Sequence, residues 1–423
     1  MTVWTRRTFG KLTLAAIGSV TAPAAMGKAR ARVYVVGGGP AGATAARQLA
    51  TNFDELDITL IEANHRYTTP FFCNRYLAGM EPLETFIHGY ERVASTDRIT
   101  VIHDRAAAID TERKTLRLAG GTDLPYDRLV IGPGVSFVDN SIEGYDQKAT
   151  TTIPHAYIGS MSEQWKILRR QLETMEDGGV VAISVPKRPY RCHPAPYERA
   201  SLIANYLARE KPRSKVLVLD ANNTFPLMDV MLEDWEERLG ETIEWVSADF
   251  GGSVESVNPA ARTLMTADDQ IKADVANVIP PQRAGTLAID AELADASGWC
   301  PIDPATFESR RAASIHVIGD AIVPGDMPRS AFAAHSQAKV CALAVGNALT
   351  GDDLATTELT NRCYFLLRRA AGLIVGGRYR ATADRIEGIE GYASQAGEDA
   401  NVRKATAEAA KKWYGEITTA MFG

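Results

Sequence analysis

The stretch RVYVVGGGPAG, residues 32–42, decides the fold, and it leads into an alanine-rich run over residues 43–50. An apolar run followed by glycines and then alanines predicts a buried parallel strand, a tight turn and a helix. In such a unit Gly37 allows the turn, Gly39 lets the backbone approach a pyrophosphate, and Gly42 lets the helix pack closely on the strand. The phosphates of a dinucleotide are then expected at the positive end of the helix.

A second predicted strand adds an acidic residue in the expected place. The apolar residues 58–61 end at Glu62, twenty residues beyond Gly42. A carboxylate at this point can accept hydrogen bonds from ribose hydroxyls. These features leave FAD, NAD and NADP open as the bound dinucleotide.

Two later segments favour FAD. YDRLVIGPG, residues 126–134, is a strand that runs into a glycine turn, as in FAD domains of the flavoprotein disulfide reductase-like superfamily. IHVIGD, residues 315–320, is a further strand that ends in Gly319 and Asp320. In that superfamily the aspartate holds a ribityl hydroxyl, and the helix that follows directs its N-terminus at the flavin pyrimidine.

A second α/β pattern lies between these segments. It consists of the strand GGVVAIS at residues 178–184, a predicted helix over residues 197–210, and the strand KVLVLD at residues 215–220. The turn after its first strand reads VPKRPY, residues 185–190, where a second glycine motif would be needed. Backbone amides cannot approach a pyrophosphate there. We therefore predict that NADH and NADPH do not reduce the flavin.

Two cysteines stand out by their neighbours. Cys192 follows Arg191 in the loop that replaces the second glycine turn, just before a predicted helix. Basic neighbours and a helix N-terminus lower the pKa of a thiol and make it reactive. Cys363 follows Arg362 and begins an apolar stretch. Taken alone, each cysteine is equally compatible with inert packing.

Longer strings carry a resemblance to a known family. They are RCHPAPYERAS at residues 191–201, IPPQRAG at 279–285 and GWCP at 298–301. Together with the glycine turn and the terminal Trp-Tyr and Phe-Gly pairs, they resemble the flavoprotein subunit of flavocytochrome c sulfide dehydrogenase, a relative of sulfide:quinone oxidoreductase. The resemblance extends over essentially the whole mature chain.

The resemblance implies an FAD-dependent oxidoreductase that acts on sulfide. In the family a redox-active disulfide lies beside the flavin, and its cysteines correspond to Cys192 and Cys363. Sulfide attacks the disulfide, a persulfide forms, and electrons pass through FAD to a c-type haem on a partner subunit. The analogy puts Cys363 nearer the flavin and makes Cys192 the persulfide carrier. Basic residues beside Cys192 are expected either to attract hydrosulfide or to be solvated surface charge.

The mode of flavin attachment stays open at this point. The family can carry FAD covalently through a cysteine in this part of the chain. Aligned on Asn74, that cysteine falls on Pro70, and Cys73 stands three residues later. Cys73 and Asn74 are therefore candidate flavin-binding residues, and a thioether to Cys73 is neither required nor excluded.

The predicted fold class is α/β, with two Rossmann-like dinucleotide-binding-type domains and a smaller C-terminal interface domain. An FAD-binding domain is expected over residues 32–150 and 286–350. A degenerate nucleotide-binding-like domain occupies residues 151–285, and the partner interface occupies 351–423. We expect a polar loop over residues 388–401 and then a helix over residues 405–422 that packs on its own domain, on a partner or on a membrane surface.

The first 31 residues resemble a twin-arginine export signal, which predicts a periplasmic protein. The pair Arg6-Arg7 precedes a mild apolar run, residues 12–26, which is shorter than the ~20 residues of a spanning helix. We therefore expect no integral membrane segment.

Composition and spacing exclude other classes. The formal charge of −6 disfavours a nucleic-acid surface. The five cysteines include no C-x-x-C pair, and the histidines show no ligand spacing, so neither a metal site nor haem attachment is expected on this chain.

Three alternatives remain beside the favoured interpretation, a heterodimer with a cytochrome c subunit. A sulfide:quinone oxidoreductase-like enzyme would lie on a membrane and reduce quinone. A non-catalytic exported flavoprotein would only transfer electrons. An NAD(P)H-dependent disulfide reductase would need the glycine motif that the second turn lacks.

Overall fold

A computed structural model describes residues 30–96, 98–159, 162–353 and 358–423. The predicted export signal falls almost entirely on residues 1–29, outside this range. In the described part the helices, in chain order, are α1 (Pro40–Asn52), α2 (Asn74–Leu77), α3 (Glu91–Thr96), α4 (Glu163–Thr174), α5 (Ala195–Glu210), α6 (Met228–Arg238), α7 (Thr286–Asp290), α8 (Ala331–Thr350) and α9 (Ala400–Phe422).

The strands of the same ranges are β1 (Ala31–Val36), β2 (Leu56–Ile61), β3 (Arg66–Thr68), β4 (Ile87–Gly89), β5 (Ile99–Ile102), β6 (Ala106–Asp110), β7 (Thr115–Leu118), β8 (Asp123–Pro125), β9 (Arg128–Ile131), β10 (Val135–Phe137), β11 (Val180–Val185), β12 (Lys215–Asp220), β13 (Ile243–Val246), β14 (Ser256–Asn258), β15 (Thr263–Met265), β16 (Gln270–Lys272), β17 (Val275–Val278), β18 (Gln282–Ala284), β19 (Ile315–Val317), β20 (Leu359–Arg368), β21 (Ala371–Ala381) and β22 (Ile386–Ala393).

The first sheet is parallel and has the strand order β19-β9-β1-β2-β5. Its central strands are buried apolar runs, as a parallel sheet covered on both faces requires. β19 joins this sheet from a point about 180 residues after β9 in the chain. Helices α1 and α8 pack together, and the Thr44 hydroxyl and His335 Nδ1 lie 2.8 Å apart. Both parts of the chain therefore build one dinucleotide-binding sheet.

The second sheet is also parallel, in the order β13-β12-β11-β17. Helix α5 follows β11 as α1 follows β1, so the two sheets repeat one strand-turn-helix plan. This confirms the predicted fold class of two Rossmann-like units with a further C-terminal part. Residues Ala31–Gly423 form one compact unit, and the domain boundaries within it stay a prediction.

The C-terminal part contains the antiparallel sheet β20-β21-β22 and helix α9. The polar loop predicted for residues 388–401 is wrong at both ends, because β22 extends to Ala393 and α9 begins at Ala400. Most of β22 is exposed, so its side chains show no buried periodicity from which the sequence could predict a strand. Backbone pairing with β21 forms it instead.

The apolar side of α9 packs on its own chain, the first of the three predicted surroundings. Its buried members are Trp413, Ile417, Met421 and Phe422. The Trp413 ring lies 5.6 Å from the Phe72 ring, and Phe422 stacks on His88 at 4.9 Å between ring centroids. In the described ranges, every helix is too short or too polar to cross a bilayer.

Candidate active site

One cavity of about 410 Å³ collects most of the residues predicted from the sequence. The predicted residues on its wall are Gly37, Gly39, Glu62, Asn74, Cys192, Gly319, Asp320 and Cys363. Gly42 and Cys73 are absent from the wall. The cavity therefore unites the dinucleotide turn, the two candidate redox cysteines and the Gly-Asp strand end.

The first turn, between β1 and α1, is built so closely that only glycine fits. A Cβ on Gly42 would lie 1.9 Å from the carbonyl oxygen of Gly37, and a Cβ on Gly37 would lie 2.5 Å from that of Gly132. Gly37 also has a φ of +96°, which other residues rarely adopt. Gly39 caps α1 and faces the cavity. Gly42 thus acts through packing and need not reach the wall.

Glu62 is fixed against this turn. Its carboxylate accepts hydrogen bonds from the Gly38 amide at 2.8 Å and from the Asn64 amide at 2.9 Å. Tyr90 donates from its hydroxyl to the Gly38 carbonyl at 3.0 Å and supports the turn from behind. The acid therefore lies beside the α1 N-terminus, where a dinucleotide ribose is expected.

Asp320 has an oxygen that lacks a partner. It follows β19 in a short 3₁₀ turn, Gly319–Ala321, and its Oδ1 is buried with no hydrogen-bond partner among the described residues. Burial raises the pKa of Asp320, and the positive charges of Arg191 and Arg329 oppose that rise. An unpartnered buried oxygen on a cavity wall needs a donor. The hydroxyls of a ribityl chain would supply one, so this wall fits FAD.

The second turn, between β11 and α5, is closed to a pyrophosphate. The Arg188 amide donates to Asn222 Oδ1 at 3.1 Å, and the Arg191 amide donates to Gln282 Oε1 at 3.0 Å. The Cys192 amide donates to the Arg329 carbonyl at 2.9 Å. Because these amides already bond within the protein, they cannot hold phosphate oxygens. The predicted loss of nucleotide binding thus has a direct physical basis.

Cys192 stands in a strained backbone position within this turn. Its φ is +53°, in the left-handed region that a non-glycine residue occupies at a cost of about 1–2 kcal/mol. The Tyr157 hydroxyl donates to the Cys192 carbonyl at 3.1 Å and holds the turn from one side. Such strain is common where a side chain must be presented to a site.

Cys363 reaches the same cavity from β20. Its Sγ lies 3.3 Å from Asn361 Oδ1, and burial raises the pKa of its thiol to about 11. Neither Cys363 nor Cys192 is bonded to another cysteine in this structure. Cys363 is near enough for its charge to raise the pKa of Cys192, so the two sulfurs belong to one site.

The expectation that basic neighbours lower the pKa of Cys192 is wrong. Burial, with the nearby Cys363, raises it well above the usual value for a thiol, and Arg191 only partly offsets this. The Arg191 guanidinium lies over the Tyr157 ring and donates to the Tyr157 carbonyl. A free thiol at Cys192 is therefore protonated at neutral pH. This condition does not apply to a sulfur held in a disulfide.

A buried polar cluster on the cavity wall was not predicted from the sequence. Glu198 accepts from Asn74 Nδ2 at 2.8 Å and from the Leu366 amide at 2.8 Å. The Arg199 Nε donates to Asn74 Oδ1 at 3.0 Å. Burial raises the pKa of Glu198, which lines the cavity. The PYERAS string contains this signal, because a helix that buries adjacent acidic and basic residues needs a polar partner for each.

The remaining cysteines and histidines lie outside the reactive geometry. Cys73 is fully buried and off the wall, and burial raises its pKa, whereas Pro70 does line the cavity. Cys300 and Cys341 are fully buried, as cysteines that only pack in the core are. Burial lowers the pKa of both His193 and His335 to about 4, so both are neutral at pH 7.

Comparisons with protein-family models match three parts of the chain. Residues 31–166 match pyridine nucleotide-disulphide oxidoreductase. Residues 165–280 match the central part of the sulfide dehydrogenase (flavocytochrome c) flavoprotein chain. Residues 355–422 match the flavin-binding part of flavocytochrome c sulphide dehydrogenase. The flavin-binding match supports FAD as the cofactor of the cavity.

The sequence identity between this chain and individual known proteins is low. The chain is 22% identical over 316 residues to the mitochondrial sulfide:quinone oxidoreductase of Mus musculus, covering 72% of this chain and 68% of the relative. The sulfide:quinone oxidoreductase structure from Aquifex aeolicus matches with a TM-score of 0.70 and 17% identity, covering 92% of both chains. A putidaredoxin reductase in complex with putidaredoxin matches with a TM-score of 0.65 and 16% identity, over 90% of this chain and 94% of that one. The two structures confirm the fold.

Proposed function

Because the chain carries the central and flavin-binding domains of flavocytochrome c sulfide dehydrogenase flavoprotein chains, we propose that it is the FAD-dependent subunit of a sulfide dehydrogenase. The observation that carries this proposal is one cavity that is lined by the dinucleotide turn and by both Cys192 and Cys363. The redox centre is a disulfide between these two cysteines.

Hydrosulfide opens the disulfide by thiol-disulfide exchange. Its sulfur bonds to the Cys192 sulfur while the bond between the cysteines breaks, and the electron pair of that bond stays on Cys363. The products are a persulfide on Cys192 and a thiolate on Cys363. When Cys192 releases its outer sulfur at the zero oxidation level with one proton, the two cysteines rejoin, and two electrons have left the sulfide sulfur.

The residues present suit FAD as the acceptor of those electrons. The glycine turn and the α1 N-terminus would hold its pyrophosphate, Glu62 its ribose, and Asp320 its ribityl chain. When bound, FAD accepts an electron pair and passes it on one electron at a time. Pro70, rather than the buried Cys73, borders the cavity at the position aligned with the family's linking cysteine, which favours non-covalent FAD.

The electron acceptor is a c-type cytochrome subunit in a periplasmic heterodimer. The central-domain match to a flavocytochrome c flavoprotein chain supports this acceptor, and the twin-arginine pattern supports the compartment. A sulfide:quinone oxidoreductase-like activity is the second candidate. It is favoured by the mouse relative of that name, which aligns over 72% of this chain.

The proposal is tested by adding sulfide anaerobically to the FAD-loaded protein and recording the flavin spectrum. We expect rapid bleaching in the wild type and none in Cys192→Ser or Cys363→Ser. Cys341→Ala is the matched control, because it removes a buried thiol away from the cavity and should bleach normally. If dithionite reduces the wild-type flavin and sulfide does not, the proposal is wrong. Adding cytochrome c or a short-chain quinone to the reduced protein then separates the two acceptors.

A further inference from the structure

The environment of Cys363 contains a polar pair that the reaction described above does not use. Ser330 Oγ donates to Asn361 Oδ1 at 2.7 Å and accepts from the Ala333 amide at 3.0 Å, so it also caps α8. Cys363 donates from Sγ to the same Asn361 Oδ1 at 3.3 Å. Two donors thus meet one amide oxygen beside a redox sulfur.

The other end of that amide lacks a partner. Asn361 is only 2% exposed, and its Nδ2 has no hydrogen-bond partner in the described part of the chain. A buried donor without an acceptor costs about 1–3 kcal/mol. The Asn361 Oδ1 atom therefore faces two hydrogen-bond donors, whereas its Nδ2 atom faces no acceptor among the described residues.

When Cys363 loses its proton, its sulfur changes from a hydrogen-bond donor into an acceptor. A thiolate accepts hydrogen bonds and donates none. Rotation of the Asn361 amide by half a turn would direct Nδ2 at the Cys363 sulfur and at Ser330 Oγ, and it would free the Ser330 hydroxyl to donate to the sulfur. The same side chains then satisfy the anion without any backbone movement.

We propose that Asn361 and Ser330 are positioning residues that stabilise the Cys363 thiolate released when the disulfide opens. Burial and the Asp320 carboxylate raise the pKa of Cys363, whereas hydrogen bonds with Ser330 and Asn361 lower it. The role of the pair rests on the proposed function, since only that reaction releases a thiolate here.

The test measures alkylation of Cys363 in the reduced, FAD-loaded full chain. A Cys192→Ser background leaves Cys363 as the accessible thiol of the described residues, because Cys73, Cys300 and Cys341 are 0% exposed. Iodoacetamide labelling is followed by intact mass between pH 8 and 9, where the rate is proportional to the thiolate fraction.

We expect Asn361→Leu, Asn361→Asp and Ser330→Ala each to slow labelling about tenfold, the equivalent of one pH unit. Ser330→Thr keeps the hydroxyl and should label at the parent rate. Ser336→Ala is the matched control: Ser336 accepts from the Thr360 amide at 3.0 Å and joins α8 to β20 without touching Cys363.

Two results would overturn the inference. One is parent-rate labelling in Asn361→Leu or Asn361→Asp, and the other is equal slowing in Ser336→Ala, which would assign the effect to helix-strand packing. Labelling uses no sulfide, so it is independent of the bleaching experiment. Slowed labelling in a protein that sulfide cannot bleach would retain the thiolate site and reject the sulfide dehydrogenase.

Discussion

The turns after β1 and after β11 occupy the same place in two parallel sheets, yet they are built in opposite ways. The first, at residues 37–42, consists of four glycines with Pro40 and Ala41, so it carries only small side chains beside the cavity. The second, at residues 186–194, binds its own amides to Asn222, Gln282 and Arg329 and presents a cysteine. One topology therefore carries a glycine turn in one sheet and a cysteine-bearing turn with bonded amides in the other.

The difference shows what a dinucleotide fold needs beyond its strand order. Both sheets place a helix N-terminus at the carboxyl end of a central strand. In the second, the Arg188, Arg191 and Cys192 amides bond within the protein and are not available to phosphate. These hydrogen bonds fix the second turn, so it can hold Cys192 in a strained left-handed conformation.

The largest expected effect comes from adding one methyl group to the first turn. In Gly42→Ala the new Cβ would lie 1.9 Å from the Gly37 carbonyl oxygen, and backbone cannot rotate away as a side chain would. Overpacking ordinarily costs about 1–3 kcal/mol, and we expect the upper end or more. The flavin-to-protein absorbance ratio should fall to near zero.

Gly415→Ala is the control for that substitution, because a Cβ added at this position of α9 would meet nothing within 4 Å among the described residues. It should keep full flavin content and gain slight stability from the better helix former. Normal flavin content in Gly42→Ala would contradict the conclusion that only glycine fits at this position of the first turn.

The next effect concerns the second turn and needs no mutation. Losing three amide contacts to a phosphate, each worth about 1.5 kcal/mol, corresponds to roughly a thousandfold weaker binding. We therefore expect neither NADH nor NADPH to bleach the flavin anaerobically at millimolar concentration. Dithionite reduction verifies that the flavin is reducible. Rapid bleaching by NADH would mean that the second turn still serves a nucleotide.

A smaller effect concerns a buried histidine under the second turn. Burial and the charges of Arg199 and Arg191 lower the pKa of His155 from 6.5 to about 3. Between these values the unfolded chain binds more protons than the folded one, so stability falls as pH is lowered from about 6.5. At pH 5 this loss is on the order of 1–2 kcal/mol.

His155→Asn should remove that loss, because an amide oxygen can replace the ring Nδ1 that accepts from the Tyr157 amide. Urea unfolding at pH 7 and pH 5 measures it, with a flatter pH dependence expected in the variant. The exposed His103→Asn serves as the control and should keep the wild-type dependence. Identical slopes in His155→Asn and wild type would contradict the assignment.

The smallest effect measures the strain at Cys192 itself. Cys192→Gly and Cys192→Ala both remove the thiol, but only glycine accepts a φ of +53° without cost. We expect the glycine variant to be more stable than the alanine variant by about 1 kcal/mol. Thermal unfolding of the two variants gives the difference. An alanine variant of equal or greater stability would show that the turn is relaxed.

The sequence predicted a site residue well where the required contact can be made by one residue type only. The glycines of the first turn, Glu62 and Asp320 could be placed because close approach and ligand hydroxyls demand those residues in that order. The pairing of Cys192 with Cys363 came from the family resemblance, since 171 residues separate them in the chain.

Other features depend on contacts that no local pattern encodes. The side chains that occupy the second turn's amides include Gln282, which is 91 residues away. The direction of the Cys192 pKa shift was mispredicted because burial outweighs the adjacent Arg191. Asn361 is a polar residue at the start of an apolar strand, and nothing in the sequence predicts a role for it. The proposed role depends on its hydrogen bond with Ser330, which only the structure reveals.

The packing of α9 makes the cavity depend on a helix that is distant in the chain from the first turn. Trp413 forms part of the cavity wall, and Phe422 packs on Tyr67 and Tyr90, the latter holding the first turn. A nascent chain that has already made β1, α1 and α8 still lacks this wall and this support. The complete cavity wall and the support behind the first turn therefore require α9 to be in place.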